Sequence, residues 1–138
     1  MQKDPRYPIG KFDHNITVTK EMRSDFIKTI ETIPSQLKKE VENLSEQQLN
    51  TPYRDGGWTV RQVIHHLPDR HINSYVRFKL ALTEDNPQIK TYEEHLWAEL
   101  PDSFNTQIDV SLNLLESLHN RWAILLRSLT DEQFEKTF

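Results

Sequence analysis

The sequence predicts an all-α fold, a helical bundle built as one domain over residues 1–138. Apolar residues recur at steps of three and four through most of the chain, which is the spacing of one helix face. Only three glycines are present, and 36% of the residues are hydrophobic. A chain of this length and composition can bury one core but not two.

The first element, residues 1–18, is predicted to be an extended arm. Two prolines and a glycine lie among mixed polar residues there, and no helical period is visible. Three apolar side chains of the arm are expected to lie against the body: Tyr7, Ile9 and Phe12.

A long helix is predicted to begin at Thr19. Pro34 interrupts its pattern, because proline lacks the backbone donor and crowds the preceding turn. The stripe keeps its phase across Pro34, so either one kinked helix or two abutting helices is expected. The apolar stripe consists of Met22, Phe26, Ile30, Ile33, Leu37, Val41 and Leu44.

Two capping boxes mark the next helices, because a hydroxyl residue followed three positions later by Gln satisfies two backbone donors. Ser45 and Gln48 predict a short helix. Thr59 and Gln62 predict the start of a long helix that runs to about Thr83. Its apolar face carries Val60, Ile64, Leu67, His71, Tyr75, Phe78 and Leu82.

The last part of the chain is predicted to hold a short amphipathic helix and a long one. The short piece, around residues 92–100, ends at Pro101, and the long helix covers about 109–129. Thr130 then caps another short helix. This long-then-short order repeats the arrangement at residues 19–49, where a further long helix follows. By analogy a fourth long helix is expected after Phe138, so the domain is expected to be C-terminally incomplete.

Composition excludes several functional classes. The net charge is −4, which argues against nucleic acid as a partner. No apolar run reaches the roughly 18 residues that span a membrane, and the N-terminus lacks the apolar region of a signal peptide. The chain has no cysteine, which excludes thiolate ligands and disulfides. A cytoplasmic location is expected.

Three of the six histidines lie on the helix after Trp58. His65 and His66 are adjacent and point about 100° apart, so they cannot easily share a site. His71 lies in the centre of the apolar face, where a packed core histidine is more common than a ligand. His66 lies at the edge of that face, and His65 is expected on the solvent side.

The other sequence features are explained most simply by structural roles and not by catalysis or ligand binding. No His-x-x-x-His pair, phosphate-binding loop or nucleophile elbow is present. Trp58 is interpreted as a plug at the helix entry, and the pair Glu93–Glu94 as solvated surface. Three further histidines are expected on the surface: His14, His95 and His119.

Several segments together resemble the YfiT-like metal-dependent hydrolases of the DinB-like superfamily, whose members include bacillithiol S-transferases. The similarity covers essentially the whole chain, and the segment from Trp58 to Leu67 is its most specific part. The matching segments are Tyr7 to Gly10, Thr51 to Leu67, Asn73 to Lys79, His119 to Trp122 and Leu129 to Phe134.

The resemblance implies a four-helix bundle that holds a divalent metal, such as zinc or nickel, with three histidines. One of them corresponds to His66 here. The other two form a His-x-x-x-His pair on the fourth helix, so the remaining ligands are expected beyond residue 138. Pro68 departs from the small helix former that the family tends to have at this position. The anion-binding candidates are Arg54, Arg61 and Arg70, among which the sequence does not choose.

Two functions follow as hypotheses. The first is a metal-dependent hydrolase or a low-molecular-weight-thiol S-transferase that acts on a small molecule through a metal at His66. The second is a non-catalytic interaction module, or an inactive fragment, that pairs its exposed face with another copy or with another protein. A homodimer is expected.

Overall fold

Three long helices dominate the part of the chain that the structure describes, residues 4–138 of a computed structural model. They have 22, 24 and 21 residues, and the other helices are single turns. Apart from one isolated bridge between Pro52 and Thr59, these residues contain no β-pairing. The helices are α1 (Lys20–Val41), α2 (Glu46–Leu49), α3 (Val60–Thr83), α4 (Glu94–Trp97), α5 (Asp102–Asn105), α6 (Ile108–Ser128) and α7 (Asp131–Phe134).

The helix α6 is the centre of the packing, because both α1 and α3 lie against it. Its side chains Leu112, Trp122 and Leu126 are buried. One core cluster joins Leu112 to Val41, Leu49 and Ile64, and a second joins Trp122 and Leu126 to Ile27. The short helices α4 and α5 cover a further side of α3. This packing confirms the predicted bundle of amphipathic helices.

The predicted caps fix where the helices begin. Both hydrogen bonds of the capping box are formed at Ser45, Thr59 and Thr130. The side chain of Thr19 caps α1 by accepting from Met22 N–H. Pro34 lies within a single helix rather than between two. Pro101 was expected to end the amphipathic segment, and it is also the N-cap of α5, which begins at Asp102; a helix start tolerates proline because its first residues need no backbone N–H.

The N-terminal arm was expected to place three apolar side chains against the body, and this prediction is wrong for two of them. Ile9 is 99% exposed and Phe12 is 63% exposed. The arm instead bonds within itself, since Tyr7 N–H donates to Asp4 O and Gly10 N–H donates to Tyr7 O. Of the three side chains, Tyr7 reaches the body, where it lines a cavity together with Tyr53 and Trp58. Residues 1–3 of the predicted arm lie outside the described residues.

None of the helices in residues 4–138 has the length and apolar character needed to cross a bilayer.

Candidate functional site

A cavity of about 590 Å³ lies at the start of α3. Its volume is within the usual range for small-molecule sites. The α3 residues of its wall are spaced three to four positions apart, so they share one helix face. The arm, the loop before α3 and α4 supply the other walls. The lining residues are Pro5, Arg6, Tyr7, Tyr53, Trp58, Val60, Val63, His66, Arg70 and Glu94.

His66 is the only histidine in that wall. Its side chain is 10% exposed, and its Nε2 lies 3.7 Å from Oε2 of Glu94. The indole of Trp58 packs on the imidazole with the ring centroids 4.8 Å apart. Burial lowers the pKa of His66, and the neighbouring Glu94 carboxylate opposes that change. The neutral imidazole that results can donate a lone pair to a metal.

The loop before α3 places Trp58 against His66. Tyr53 N–H donates to Trp58 O, and Val60 N–H donates to Thr51 O, so the loop closes on itself. Gly56 permits the turn because its φ is +64°, in the left-handed region. At Gly57 a Cβ would come within 2.7 Å of the Arg54 Cγ, so this position also requires glycine.

The capping box at the start of α3 also positions Glu94. Gln62 caps the helix through its Oε1, which accepts from Thr59 N–H. The Nε2 of the same side chain donates to Ala98 O at 2.9 Å. Since Ala98 ends α4, this bond ties the short helix that carries Glu94 to the first turn of α3.

The three candidate arginines have different surroundings. Arg61 is 6% exposed and bonds to Glu46, Asn50 and the carbonyl of Thr106, so it is a structural residue. Arg54 donates to the Tyr53 hydroxyl and the Asp55 carbonyl and does not line the cavity. Arg70 lines the cavity with its side chain 63% exposed.

His65 was expected on the solvent side of α3, and this prediction is wrong. The residue is 5% exposed, because α6 and the segment after α5 both pack on that side of α3. Its Nε2–H donates to the carbonyl of Thr106, since a carbonyl can only accept. The Ser111 hydroxyl then donates to Nδ1 at 2.7 Å.

The expectation of a surface position is also wrong for His119, which is 1% exposed. It lies on the inner face of α6, where its Nδ1 bonds a backbone carbonyl of α1 and its Nε2 lies 2.6 Å from Nδ1 of His71. His71 is half-buried with its ring stacked on that of His119, and it does not line the cavity. The expected exposure of His14 and His95 is confirmed.

The donor set of the cavity fits a divalent metal only in part. His66 offers a neutral nitrogen and Glu94 a carboxylate, both of which bind zinc. Catalytic zinc sites use three protein ligands. Within residues 4–138 no group of three or more histidine, aspartate or glutamate side chains comes together in this way.

Two contacts of His66 in the cavity were not predicted from the sequence. Trp58 is a wall of the cavity and a contact of His66, not only a plug at the helix entry. Glu94 is a half-exposed carboxylate at the cavity, not a remote surface charge. No local signal distinguishes it from Glu93, because the bond from Gln62 that places α4 is a tertiary contact.

Comparison with known proteins gives a consistent result. The sequence profile of the DinB superfamily matches residues 29–138. Proteins named "putative metal-dependent hydrolase" from Bacillus cereus strain AH820 and Bacillus anthracis strain A0248 are 58% identical over 135 residues, which is 98% of this chain and 78% of each relative. The solved structure of YfiT from Bacillus subtilis is 52% identical and superimposes with a TM-score of 0.92 over 96% of this chain and 75% of that one. That structure is described as "a probable metal-dependent hydrolase with an unusual four-helix bundle topology".

Proposed function

Since this chain belongs to the YfiT-like group of the DinB superfamily, we propose that it is a metal-dependent hydrolase that binds its metal in part through His66. The observation that carries the proposal is the His66 imidazole, which is kept neutral by burial and faces a small-molecule cavity. The names of the relatives support the reaction class.

A bound divalent metal would supply a Lewis acid and lower the pKa of water in the cavity. The residues of this chain do the rest. Trp58 packs on the His66 ring and limits its rotation. Oε2 of Glu94 lies 3.7 Å from His66 Nε2 on a half-exposed side chain, so this carboxylate is placed to accept a proton from a water molecule held beside the His66 ring.

The described residues supply one imidazole and one carboxylate near each other. We therefore propose that the remaining metal ligands are donors that do not lie beside His66 in the described residues, supplied by a second copy or by other residues of the full gene product. Zinc and nickel both accept imidazole nitrogen, so the donors seen here do not choose between them.

Transfer of a low-molecular-weight thiol is the alternative reaction at the same site. The family resemblance supports this alternative, since bacillithiol S-transferases belong to the same superfamily. The two reactions differ in the nucleophile, which is water in hydrolysis and a thiolate in transfer. Product analysis with and without an added thiol separates them.

The test uses the full natural gene product and a panel of ester and amide substrates, with and without added bacillithiol. We expect turnover that a chelator removes and that added zinc or nickel restores. His66→Ala should remove it, and His95→Ala, a substitution at an exposed histidine outside the cavity, should not. Turnover that persists in His66→Ala would overturn the proposal.

A second candidate is pairing through an exposed face of α6, without catalysis. Three apolar side chains on that face are exposed: Val110, Leu114 and Ile124. Their spacing keeps them within one face of the helix, which fits a second copy of the chain. Sedimentation equilibrium tests this candidate, with a dimer expected and Leu114→Glu expected to dissociate it. A monomer at all concentrations would exclude it.

A further inference from the structure

We propose that Arg70 is the anion-binding residue of the His66 cavity and that the cavity takes a small anion with an attached planar apolar group. This inference rests on the proposed function, because it assigns the substrate class of the same cavity. It concerns recognition and not the metal, so the two can be tested apart.

The two arginines of the cavity wall differ in how many hydrogen-bond donors remain free for a ligand. Arg6 also lines the cavity, but its Nε and Nη2 are committed to the carboxylate of Asp4 at 2.7 to 3.1 Å. The side chain of Arg70 makes no hydrogen bond to any residue that the structure describes. Its guanidinium therefore keeps all five donors for a carboxylate or phosphate group.

Glu94 is the one carboxylate of the cavity wall that could compete for Arg70. The Nη1 of Arg70 lies 3.9 Å from Oε2 of Glu94, which is beyond hydrogen-bond length. Both side chains are at least half exposed, so water screens their attraction. The Glu94 carboxylate also repels an incoming anion. Removing its charge should therefore strengthen anion binding, whereas removing the charge of Arg70 should weaken it.

The remaining walls are aromatic and aliphatic. The arm and the loop before α3 contribute Tyr7, Tyr53 and Trp58, and α3 contributes Val60 and Val63. Aromatic faces pack well against a planar or apolar group. The arrangement of a cation at one end and aromatic walls beside it indicates an aryl or similar acid rather than a free inorganic anion.

The first experiment titrates benzoate, with benzyl alcohol as its neutral partner of similar shape, into the full natural gene product in EDTA. The indole N–H resonance of Trp58 in a ¹H–¹⁵N spectrum reports binding in the cavity, and the indoles of Trp97 and Trp122, which do not line it, serve as internal controls. We expect benzoate to shift the Trp58 resonance saturably and benzyl alcohol to bind at least about tenfold more weakly. Equal affinity of the two compounds, or no benzoate binding, overturns the proposal.

Substitutions then assign the cation. Arg70→Gln should weaken benzoate binding at least about tenfold, whereas Arg77→Gln, two turns further along α3 and outside the cavity, should leave it unchanged. Glu94→Gln should strengthen it, because a repelling charge is removed. Equal losses in Arg70→Gln and Arg77→Gln, or a loss in Glu94→Gln, would overturn the proposal.

The two proposals fail in different measurements. Anion binding is measured without metal, so a wrong assignment of the metal ligand leaves the benzoate result intact. Conversely, metal affinity that depends on His66 with no benzoate binding would support the proposed function and overturn the role of Arg70.

Discussion

The Nδ1–H of His119 donates to the carbonyl of Ile30 across the interface of α6 and α1. In a helix that carbonyl would accept from the N–H four residues later, which here belongs to Pro34 and does not exist. His119 therefore satisfies an acceptor that the proline leaves open. Because a carbonyl cannot donate and burial lowers the pKa of His119, the ring is neutral with its proton on Nδ1.

This relationship predicts an energetic coupling between positions 34 and 119. His119→Phe should lower the free energy of unfolding by about 2–4 kcal/mol, since it leaves the Ile30 carbonyl and His71 Nδ1–H unpaired. With Pro34→Ala present, the restored N–H satisfies Ile30, and the same substitution should cost about 1–2 kcal/mol less. Urea unfolding of the unsubstituted protein, the two single variants and the double variant measures the coupling. Additivity within about 0.5 kcal/mol would contradict it.

The hydrogen bonds also predict the tautomers of His119, His71 and His65. The proton of His119 on Nδ1 makes its Nε2 an acceptor, so His71 donates from Nδ1. His65 should carry its proton on Nε2, because that atom bonds the Thr106 carbonyl. Long-range ¹H–¹⁵N correlation spectra distinguish the two tautomers. A His65 ring protonated on Nδ1 would show that this account of its contacts is wrong.

Stability should fall as the pH drops from about 6.5 to about 4. His71 is neutral in the native protein because its pKa is lowered to about 4, first by burial and then by His119, Arg70 and His66. The unfolded chain binds a proton on this ring near pH 6.5, so it takes up more protons in the window and is favoured. Over this pH range His71 lowers the free energy of unfolding by at most about 3 kcal/mol.

Urea unfolding at a series of pH values checks this dependence. His71→Gln should flatten the slope between pH 6.5 and 4, whereas His95→Gln, at an exposed position, should leave it as it is. An unchanged slope in His71→Gln would show that this histidine does not carry the effect.

Arg61 is predicted to support the fold and not substrate binding. Arg61→Leu removes three hydrogen bonds, to Glu46, Asn50 and Thr106, and should lower the free energy of unfolding by about 1–3 kcal/mol. Benzoate affinity of the folded protein should not change. The result that would contradict this assignment is full stability with lost benzoate binding, which would make Arg61 the substrate cation.

The helices and their caps could be predicted from the sequence because both depend on neighbours in the chain. The boxes at Ser45, Thr59 and Thr130 use residues three positions apart, and each is formed. The arm was harder to predict, since nothing local says whether Ile9 finds a partner on the body.

The site could be predicted only in part, because it depends on contacts between distant segments. The helical period correctly put His66 at the edge of the buried face, but it put His65 in solvent because the segment after α5 was not known to cover that side. His119 looked isolated in the sequence, since its partners Ile30 and His71 lie 89 and 48 residues away.

Whether His66 is a metal ligand can be measured through the metal affinity of the protein. Calorimetric titration of zinc into the full natural gene product, His66→Ala and His95→Ala gives the affinity without any assumption about substrate. We expect at least about tenfold weaker zinc binding in His66→Ala, because the loss of a group that only supports a ligand already costs about that much, and no change in His95→Ala. Equal zinc affinity in all three proteins would contradict it.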